Sequence, residues 1–188
     1  MIMQERILEA FVEEAHESGL KFTMDDLAKR LAISKRTLYE NFSSKTLILE
    51  TIIERTSTDM IKKTERIIGN DQLSLLEKIK QSIRIMPQYY EFYDLRILDQ
   101  MRKYYPEQWK KVHSDLNDWS QLKELIQEAI QEGLIANKNE ALIMRLITDS
   151  VNLTLDQRFF LDNSVTVEEA IYSIVDILLF GLVKKPEA

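Results

Sequence analysis

The stretch Thr23–Lys45, TMDDLAKRLAISKRTLYENFSSK, contains two short segments whose apolar residues follow helical spacing. The break Ala32-Ile33-Ser34 separates them, and the second segment also carries basic and hydroxyl side chains. Two short helices joined by a tight turn, with polar groups on the outer face of the second, are typical of a helix-turn-helix. In that motif the second helix enters the major groove of DNA. The stretch therefore predicts a DNA-binding module near the amino terminus.

Two local signals support this assignment, and one residue departs from the expected pattern. Thr23 and Asp26 are spaced as a capping box, with Asp in the position that Glu usually takes. Ala32 stands at the turn position where glycine is favoured, because such turns often need a positive φ, so we expect modest strain or a slightly different turn. Ser34 is a good N-cap for the second helix.

The outer face of the second helix has the chemistry of base recognition. Leu38 and Phe42 are four residues apart and point inward, which leaves the opposite side free. Side chains there can donate to guanine, accept from cytosine or touch a thymine methyl group. We predict base contacts from Lys35, Arg36, Thr37 and Glu40. Phosphate contacts are expected where helix N-termini and further polar groups gather, at Thr23, Ser34, Tyr39, Ser44 and Lys45. The alternative is a pair of core helices with a solvated, charged face.

The run LAKRLAISKRTLYENFSSKTLIL resembles the DNA-binding signature of the TetR (tetracycline repressor) family of bacterial transcriptional regulators. The matching residues are Leu27-Ala28, Leu31, Ile33-Ser34, Thr37-Leu38-Tyr39, Phe42, Lys45 and Leu49. Ala32 departs from the usual glycine. The resemblance covers the amino-terminal part of the chain, and beyond about Ile53 no residue-specific role carries over.

The resemblance implies an all-α homodimer that binds double-stranded operator DNA. It implies a helix-turn-helix domain over 1–46 and a helical regulatory and dimerisation domain over 47–188. It also implies the base contacts given above and phosphate contacts from Tyr39, Asn41 and Lys45. Repression is the commoner outcome that the family implies, and activation stays open.

Composition agrees with a cytoplasmic regulator. The chain has no cysteine, which excludes disulfides and thiolate metal sites. The start MIMQERILEAF lacks an apolar core segment, so we expect no secretory signal, and Ile174–Val183 is too short to span a bilayer. The net charge is −6, but Lys29–Lys45 carries five cations and one anion, a local charge of +4. A basic end on an acidic body favours oriented binding to DNA, although the same cations could only solubilise an exposed face.

The remaining chain predicts helices throughout, without strand alternation. The expected elements are a first helix ending near Ser18-Gly19, a long helix from Ser43/Ser44 to Gly69, a helix from Asn70-Asp71 towards Pro87, a helix over Tyr89–Met101, a helix opening at Pro106, a helix closed by Gly133, a long helix from Asn139 to Leu161 and a last helix capped by Thr166 and Glu169.

The last helix is apolar around most of its circumference, so one side needs a partner. We expect it to pair, with Asn139–Leu161, against a second copy as a four-helix bundle. The predicted interface residues are Leu146, Leu153, Ile171, Ile174, Leu178, Gly181 and Leu182. The alternative is a central helix enclosed by its own domain. A dimer would present two recognition helices about 34 Å apart to a near-palindromic operator.

Aromatic and methionine side chains gather in the middle of the chain, a composition that suits a pocket for a small apolar or aromatic ligand. The candidate lining residues are Met86, Tyr89, Tyr90, Tyr93, Met101, Tyr104, Trp109, Trp119 and Met144. Ordinary core packing is the alternative.

No catalytic or metal-binding constellation is predicted. His16 and His113 each lack a spaced partner, and no phosphate loop or nucleophile elbow is present. We therefore expect no cofactor, no metal and no enzymatic activity. Three functions remain: a ligand-released repressor, a DNA-binding regulator without a small-molecule effector, and a helical ligand carrier or enzyme.

Overall fold

The computed structural model describes residues 2–136 and 138–181. These residues form an all-α fold of eleven α-helices and two 3-10 turns, and no strand occurs among them. The helices are α1 Met3–Ser18, α2 Met24–Arg30, α3 Lys35–Asn41, α4 Lys45–Ile68, α5 Leu75–Ile83, α6 Leu95–Tyr104, α7 Pro106–Leu116, α8 Ser120–Gln131, α9 Glu140–Asn152, α10 Gln157–Asn163 and α11 Val167–Phe180. The 3-10 turns are Tyr90–Phe92 and Leu153–Leu155.

The fold divides into two compact units. The first comprises the described residues up to Ile61 together with Pro87–Asp118, and the second comprises Lys62–Met86 and the described residues from Trp119 onward. The helix α4 has 24 residues and runs from the first unit into the second. The predicted domain boundary after residue 46 falls inside the first unit, because it divides the expected DNA-binding residues from the expected regulatory ones and not one packing unit from the other. It stays a prediction.

The first unit is built on the apolar face of α1. Phe11 is fully buried, and its ring lies 5.0 Å from that of Phe22 and 6.2 Å from that of Phe92, measured between centroids. A fully buried aromatic side chain contributes about 1.5–3 kcal/mol relative to an exposed one. The core continues into the short helices and the other elements of the unit through Leu27, Leu38, Ile48, Leu49, Ile52, Ile97, Met101 and Val112.

The second unit is a helical bundle in which α5 packs on α8 and α11, and α9 packs on α8 and α11. Its buried cluster consists of Ile79, Ile83, Leu122, Leu125, Ile126, Ala129, Ile147 and Val175. Polar contacts also join helices of the bundle: the Arg84 guanidinium meets the Asp176 carboxylate at 3.0 Å and stacks on the Tyr172 ring, and Lys123 pairs with Glu140 at 3.2 Å.

Three predicted helices were wrong in their boundaries. The helix expected from Asn70-Asp71 begins at Leu75, because Ser74 is the N-cap and the Asn70 side chain instead accepts a bond from the Gln72 N–H. The helix expected over Tyr89–Met101 begins only at Leu95. Tyr89 has a φ of +59°, which no α-helix accommodates, and Asp94 caps α6.

The long helix expected from Asn139 to Leu161 is also interrupted. It ends as α9 at Asn152, passes through the 3-10 turn and restarts as α10 after Asp156. The Asp156 side chain accepts from the Phe159 N–H and thus starts a new helix. A capping aspartate inside an otherwise apolar periodic run is a signal that the periodicity alone conceals.

Candidate nucleic-acid interface

The helix-turn-helix, residues 23–42, is held by side-chain caps at both helix starts. The Thr23 hydroxyl accepts from the Asp26 N–H at 3.2 Å, while the Asp26 carboxylate accepts from the Thr23 N–H at 2.9 Å. The bond from the Thr23 hydroxyl is the main cause that holds the pKa of Asp26 below its usual value. The Ser34 hydroxyl accepts from the Thr37 N–H at 3.0 Å. The predicted capping box and N-cap are confirmed.

The turn between the two helices contains the expected strain. Ala32 has a φ of +53°, in the left-handed region that disfavours a Cβ atom. The turn is closed by backbone bonds from the Ala32 N–H to the Lys29 carbonyl and from the Ile33 N–H to the Ala28 carbonyl. The chain therefore keeps the geometry of a glycine turn with alanine in place.

The helix α3 buries one side and exposes the other. Leu38 is fully buried and Phe42 nearly so, which fixes the roll of the helix. Lys35, Arg36 and Glu40 are exposed, and Tyr39 is 48% exposed, whereas Thr37 is half-buried. The four predicted base-contacting residues thus lie on α3, and three of them are on its open side.

Charges on this face are paired in the free protein. The Lys35 ammonium contacts the carboxylate of Asp25 on α2, a partner that the sequence analysis missed. The Arg36 Nε donates to Glu40 Oε1 at 2.8 Å. Exposed pairs of this kind contribute about 0–1 kcal/mol, so DNA can displace them at small cost.

Five of the six predicted phosphate-contacting residues fall into three groups. Thr23, Ser34 and Ser44 are exposed residues whose hydroxyls serve as caps, the last accepting from the Leu47 N–H at 3.1 Å. Tyr39 stands on the open side of α3. Asn41 is half-buried and donates to the Thr37 carbonyl at 2.8 Å.

Lys45, the sixth, begins α4 and is half-buried. Its ammonium donates to the carbonyl oxygens of Leu20, at 3.0 Å, and Phe22, and it lies 3.7 Å from the centroid of the Phe22 ring. Burial lowers the pKa of Lys45 to about 8. An ammonium has three donors, so the two carbonyl bonds leave one for a phosphate oxygen.

Arg30 at the end of α2 has a structural role that the sequence analysis did not identify. Its guanidinium binds three carboxylates of α1 at distances of 2.7–3.2 Å, those of Glu13, Glu14 and Glu17. The bond to Glu17 is the main cause that raises the pKa of Arg30, and the same bond lowers the pKa of Glu17. The spacing of the acidic residues along α1 was visible in the sequence. Their shared partner Arg30, which lies 13 residues after Glu17, was not.

The candidate ligand residues are divided between the two units. Six lie in the first unit: Tyr89, Tyr90, Tyr93, Met101, Tyr104 and Trp109. Met86, Trp119 and Met144 lie in the second. Tyr93 and Met101 are buried, and burial raises the pKa of Tyr93 to about 12. Tyr104, which is exposed, borders an open groove with Leu20, Lys21 and Tyr105.

The candidate dimer residues lie in the second unit. Leu146 and Leu153 are 51% and 43% exposed, and Gly181 is also exposed. Ile174 and Leu178 are half-buried, whereas Ile171 is buried in its own unit. Leu182 lies outside the described residues. Further apolar side chains exposed on the same helices and their connections are Leu142, Phe159, Leu161, Val165, Tyr172, Ile177 and Phe180.

Two further features of the described residues bear on function. Within the described residues, no three His, Asp or Glu side chains are grouped as ligands for a metal ion. None of the described helices combines the length and the apolar character that crossing a membrane requires. The capped helix pair with its open polar face therefore defines the class: a helix-turn-helix DNA-binding protein.

Known proteins agree with this class. Residues 7–52 match the family described as bacterial regulatory proteins, tetR family. The chain is 33% identical over 187 residues to YvaF, an HTH-type transcriptional regulator of Bacillus subtilis (strain 168), across 99% of this chain and 98% of YvaF. The chain belongs to the tetR family of bacterial transcriptional regulators, which are not enzymes.

Solved structures share the fold. PfmR, a TetR family regulator from Thermus thermophilus, has a TM-score of 0.76 at 23% identity, over 95% of this chain and 100% of PfmR. FadR from Bacillus subtilis, in complex with stearoyl-CoA, has a TM-score of 0.65 at 21% identity, over 96% of this chain and 99% of FadR. At these identities the likeness concerns the fold alone.

Proposed function

We propose that the chain is a homodimeric repressor that binds a near-palindromic operator and is released by a small apolar or aromatic ligand. The observation that carries this proposal is the open side of α3, where Lys35, Arg36, Tyr39 and Glu40 are exposed on a helix fixed by its buried side. Membership of the family supplies DNA binding and regulation.

Base recognition is assigned to Lys35, Arg36, Thr37 and Glu40. The guanidinium of Arg36 matches the O6 and N7 acceptors of guanine, and the Glu40 carboxylate matches the N4 donor of cytosine. Because these two side chains bind each other in the free protein, DNA exchanges one bond between them for two bonds to bases. Tyr39, Lys45 and the capped helix starts at Thr23, Ser34 and Ser44 are assigned to phosphates, together with Asn41.

The dimer is supported by exposed apolar side chains in the second unit. Leu142, Leu146 and Leu153 form a stripe at helical spacing along α9 and its end, and Ile177 and Phe180 are exposed on α11. Exposed apolar side chains grouped on two helices that pack together often mark a protein interface. We assign Leu146, Leu153, Ile174, Leu178 and Gly181 to it, and we leave out Ile171 because its own unit already buries it.

Release by ligand is supported by the course of α4. This helix, about 36 Å long at 1.5 Å per residue, connects the unit that holds α3 with the second unit. A ligand that binds one conformation better shifts the population towards it, and a shift of α4 would move α3 away from operator spacing. The complex of FadR with stearoyl-CoA is an example of a protein of this fold with an apolar-tailed ligand.

A regulator without a small-molecule effector is the second candidate. It is favoured by the burial of Tyr93 and Met101 in the first unit, as ordinary core residues are buried, and by the contact of the Tyr93 ring with Phe92. Ligand-induced changes in operator affinity would separate the two candidates.

Selection of bound duplexes from random DNA tests the central claim. The expected result is an inverted repeat whose half-site centres are about 10 base pairs, or a multiple of this, apart. Arg36→Ala and Glu40→Ala should each relax the preference at one position per half-site, whereas Tyr39→Phe should weaken all sequences equally. Recovery of no common sequence, or of an asymmetric single site, would overturn the proposal.

A further inference from the structure

The turn between α1 and α2, residues 19–22, is held by a side chain from α6. The Leu20 N–H donates to Gln100 Oε1 at 2.6 Å. Gly19 has a φ of +72°, and a Cβ atom at this position would lie 2.5 Å from Gln100 Nε2 and 2.7 Å from Oε1. The amide of Gln100 therefore lies directly on the glycine backbone, and a residue with a Cβ atom at position 19 would have to displace it.

A second side chain of α6 holds the end of α1. Arg96 lies one turn before Gln100, and its guanidinium donates to the His16 carbonyl oxygen in the last turn of α1. The last carbonyl groups of a helix have no partner within the helix, so a cation there is favourable. The Arg96 N–H in turn donates to Asp94 Oδ1 at 2.8 Å, which fixes the start of α6.

The turn is therefore held from two sides. Gln100 of α6 accepts a hydrogen bond from the Leu20 N–H, while Lys45 of α4 donates to the carbonyl oxygens of Leu20 and Phe22. Thr23, which caps α2, follows the turn immediately. The direction in which α2 and α3 leave α1 is thus set by contacts outside the helix-turn-helix itself.

We infer that Gln100, supported by Arg96, is a positioning residue for operator recognition. It touches no DNA in this assignment. By fixing residues 19–22 it fixes the angle of α3 within the first unit, and in the proposed dimer it therefore fixes which operator spacing both copies of α3 can reach. The inference rests on the proposed function, because a distance between two recognition helices exists only in a dimer.

The physical consequence is that α3 cannot adjust its position when the spacer between the two half-sites changes in length. One added base pair moves a half-site by about 3.4 Å along the DNA and rotates it by about 35° around the axis. A firmly held α3 cannot follow such a change. An α3 on a loosened turn can follow part of it, at the cost of weaker binding to the correct spacer.

The test uses the full chain and the inverted repeat recovered by selection, with its own spacer and with one base pair added or removed. Wild type should prefer its own spacer by about tenfold or more. Gln100→Ala should bind that spacer about three- to tenfold more weakly, the range of one neutral hydrogen bond, and should discriminate less between spacers. Base preference within a half-site and the salt dependence should not change. Gln131→Ala, an exposed glutamine of α8, is the matched control.

The outcomes are distinct. The inference is overturned if Gln100→Ala lowers the affinity for every spacer by the same factor, or if it binds as wild type does. Either result leaves the proposed function intact. Wild type that shows no spacer preference overturns the dimeric recognition on which the inference depends, and the inference falls with it.

A double-mutant cycle distinguishes the loss of the Gln100 contact from a folding defect in Gln100→Ala. Gly19→Ala is strained by its backbone angle in either background, but only the wild-type background adds the clash with the Gln100 amide. Gly19→Ala should therefore reduce operator affinity more in wild type than in Gln100→Ala. Equal reductions would mean that Gln100 does not hold the turn. Circular dichroism of each free protein verifies that it is folded.

Discussion

At the scale of single residues, the helix-turn-helix contains one conformational cost that a substitution can remove. Ala32 keeps a φ of +53° at a turn position that suits glycine. The left-handed conformation costs a residue with a Cβ atom about 1–2 kcal/mol, while glycine loses about 0.4–1 kcal/mol more backbone entropy on folding. The cost was visible in the sequence because the resemblance to the family places a glycine there.

Ala32→Gly should therefore raise the free energy of unfolding by about 0.5–1 kcal/mol. Denaturant unfolding at constant m-value measures this change. Ala141→Gly, an exposed position in the first turn of α9, is the control and should lower stability, by less than the roughly 1 kcal/mol that glycine costs in a helix interior. If both variants lose stability, the turn does not store strain.

Lys45 combines a structural and an electrostatic role. Its pKa is lowered from 10.5 to about 8 by burial, so between these values the unfolded chain holds a proton that the folded chain has lost. In this window stability should rise with pH. Binding to a phosphate favours the charged ammonium, so operator affinity should change in the opposite direction.

We expect operator affinity to fall by up to about tenfold between pH 7 and pH 9, because a group with a pKa of about 8 is largely neutral at the upper limit. Lys45→Met should bind more weakly at pH 7, lose most of this pH dependence and lower the salt slope by about one unit. Fluorescence anisotropy at constant ionic strength measures both. Lys110→Met, an exposed lysine of α7, should keep the wild-type profile. Equal profiles for Lys45→Met and wild type would assign Lys45 to the turn alone.

At the scale of helices, capping residues were the most informative sequence signals. Thr23, Ser34 and Thr166 each predicted a helix start that the structure confirms, because a cap acts through bonds within three residues. Ser74 and Asp156 are caps of the same kind. The helix that Ser74 caps was predicted to start earlier, at Asn70-Asp71, and apolar periodicity on both sides of Asp156 predicted one uninterrupted helix. At Asp156, where capping and periodicity disagreed, local chemistry was the better guide.

Contacts distant in sequence could not be predicted. Gln100 meets Leu20 across 80 positions, and nothing in a pattern of local spacing selects it from the other glutamines. The open side of α3 was predictable because it needs only helical geometry and two inward residues, Leu38 and Phe42. The assignment of each side chain to a base or a phosphate depends on DNA and stays a prediction.

The packing of α2 on α1 depends on Arg30 and its carboxylate partners. Because a lowered carboxyl pKa adds stability above its ordinary value, this contribution is present at neutral pH and is lost as the pH falls through the lowered pKa. Arg30→Met should therefore lower the melting temperature at pH 7, where the α1 carboxylates Glu13, Glu14 and Glu17 would lose their shared cation. The difference from wild type should shrink as the pH falls below the ordinary carboxyl range and through the lowered pKa of Glu17.

Thermal melts between pH 3 and pH 7 measure the effect. Arg102→Met is the control, because this exposed arginine of α6 pairs with Asp99 on its own helix and should contribute little at any pH. A pH-independent deficit for Arg30→Met would instead assign the role of Arg30 to packing of its aliphatic stem.

At the scale of the whole molecule, charge and apolar surface are separated along the chain. Lys29–Lys45 carries a local charge of +4, whereas the remaining residues together carry −10. The second unit instead exposes leucine, isoleucine and phenylalanine side chains on α9 and α11. An acidic body disfavours contact with DNA outside the recognition helix, and apolar side chains favour a protein partner. We therefore expect the two surfaces to have different partners.

Leu146→Glu tests whether the partner of the apolar surface is a second copy. A two-fold axis would bring the substitution into the interface twice, and an unpaired carboxylate is costly to bury. We expect a monomer by sedimentation at micromolar concentration and a loss of affinity for the inverted repeat of about a hundredfold, with weak binding to a single half-site retained. Leu134→Glu is the matched control, since Leu134 is 48% exposed against 51% for Leu146 but follows α8 rather than lying on the α9 stripe. A dimer that survives Leu146→Glu, or a monomer that forms equally with Leu134→Glu, would show that this stripe does not join the two copies.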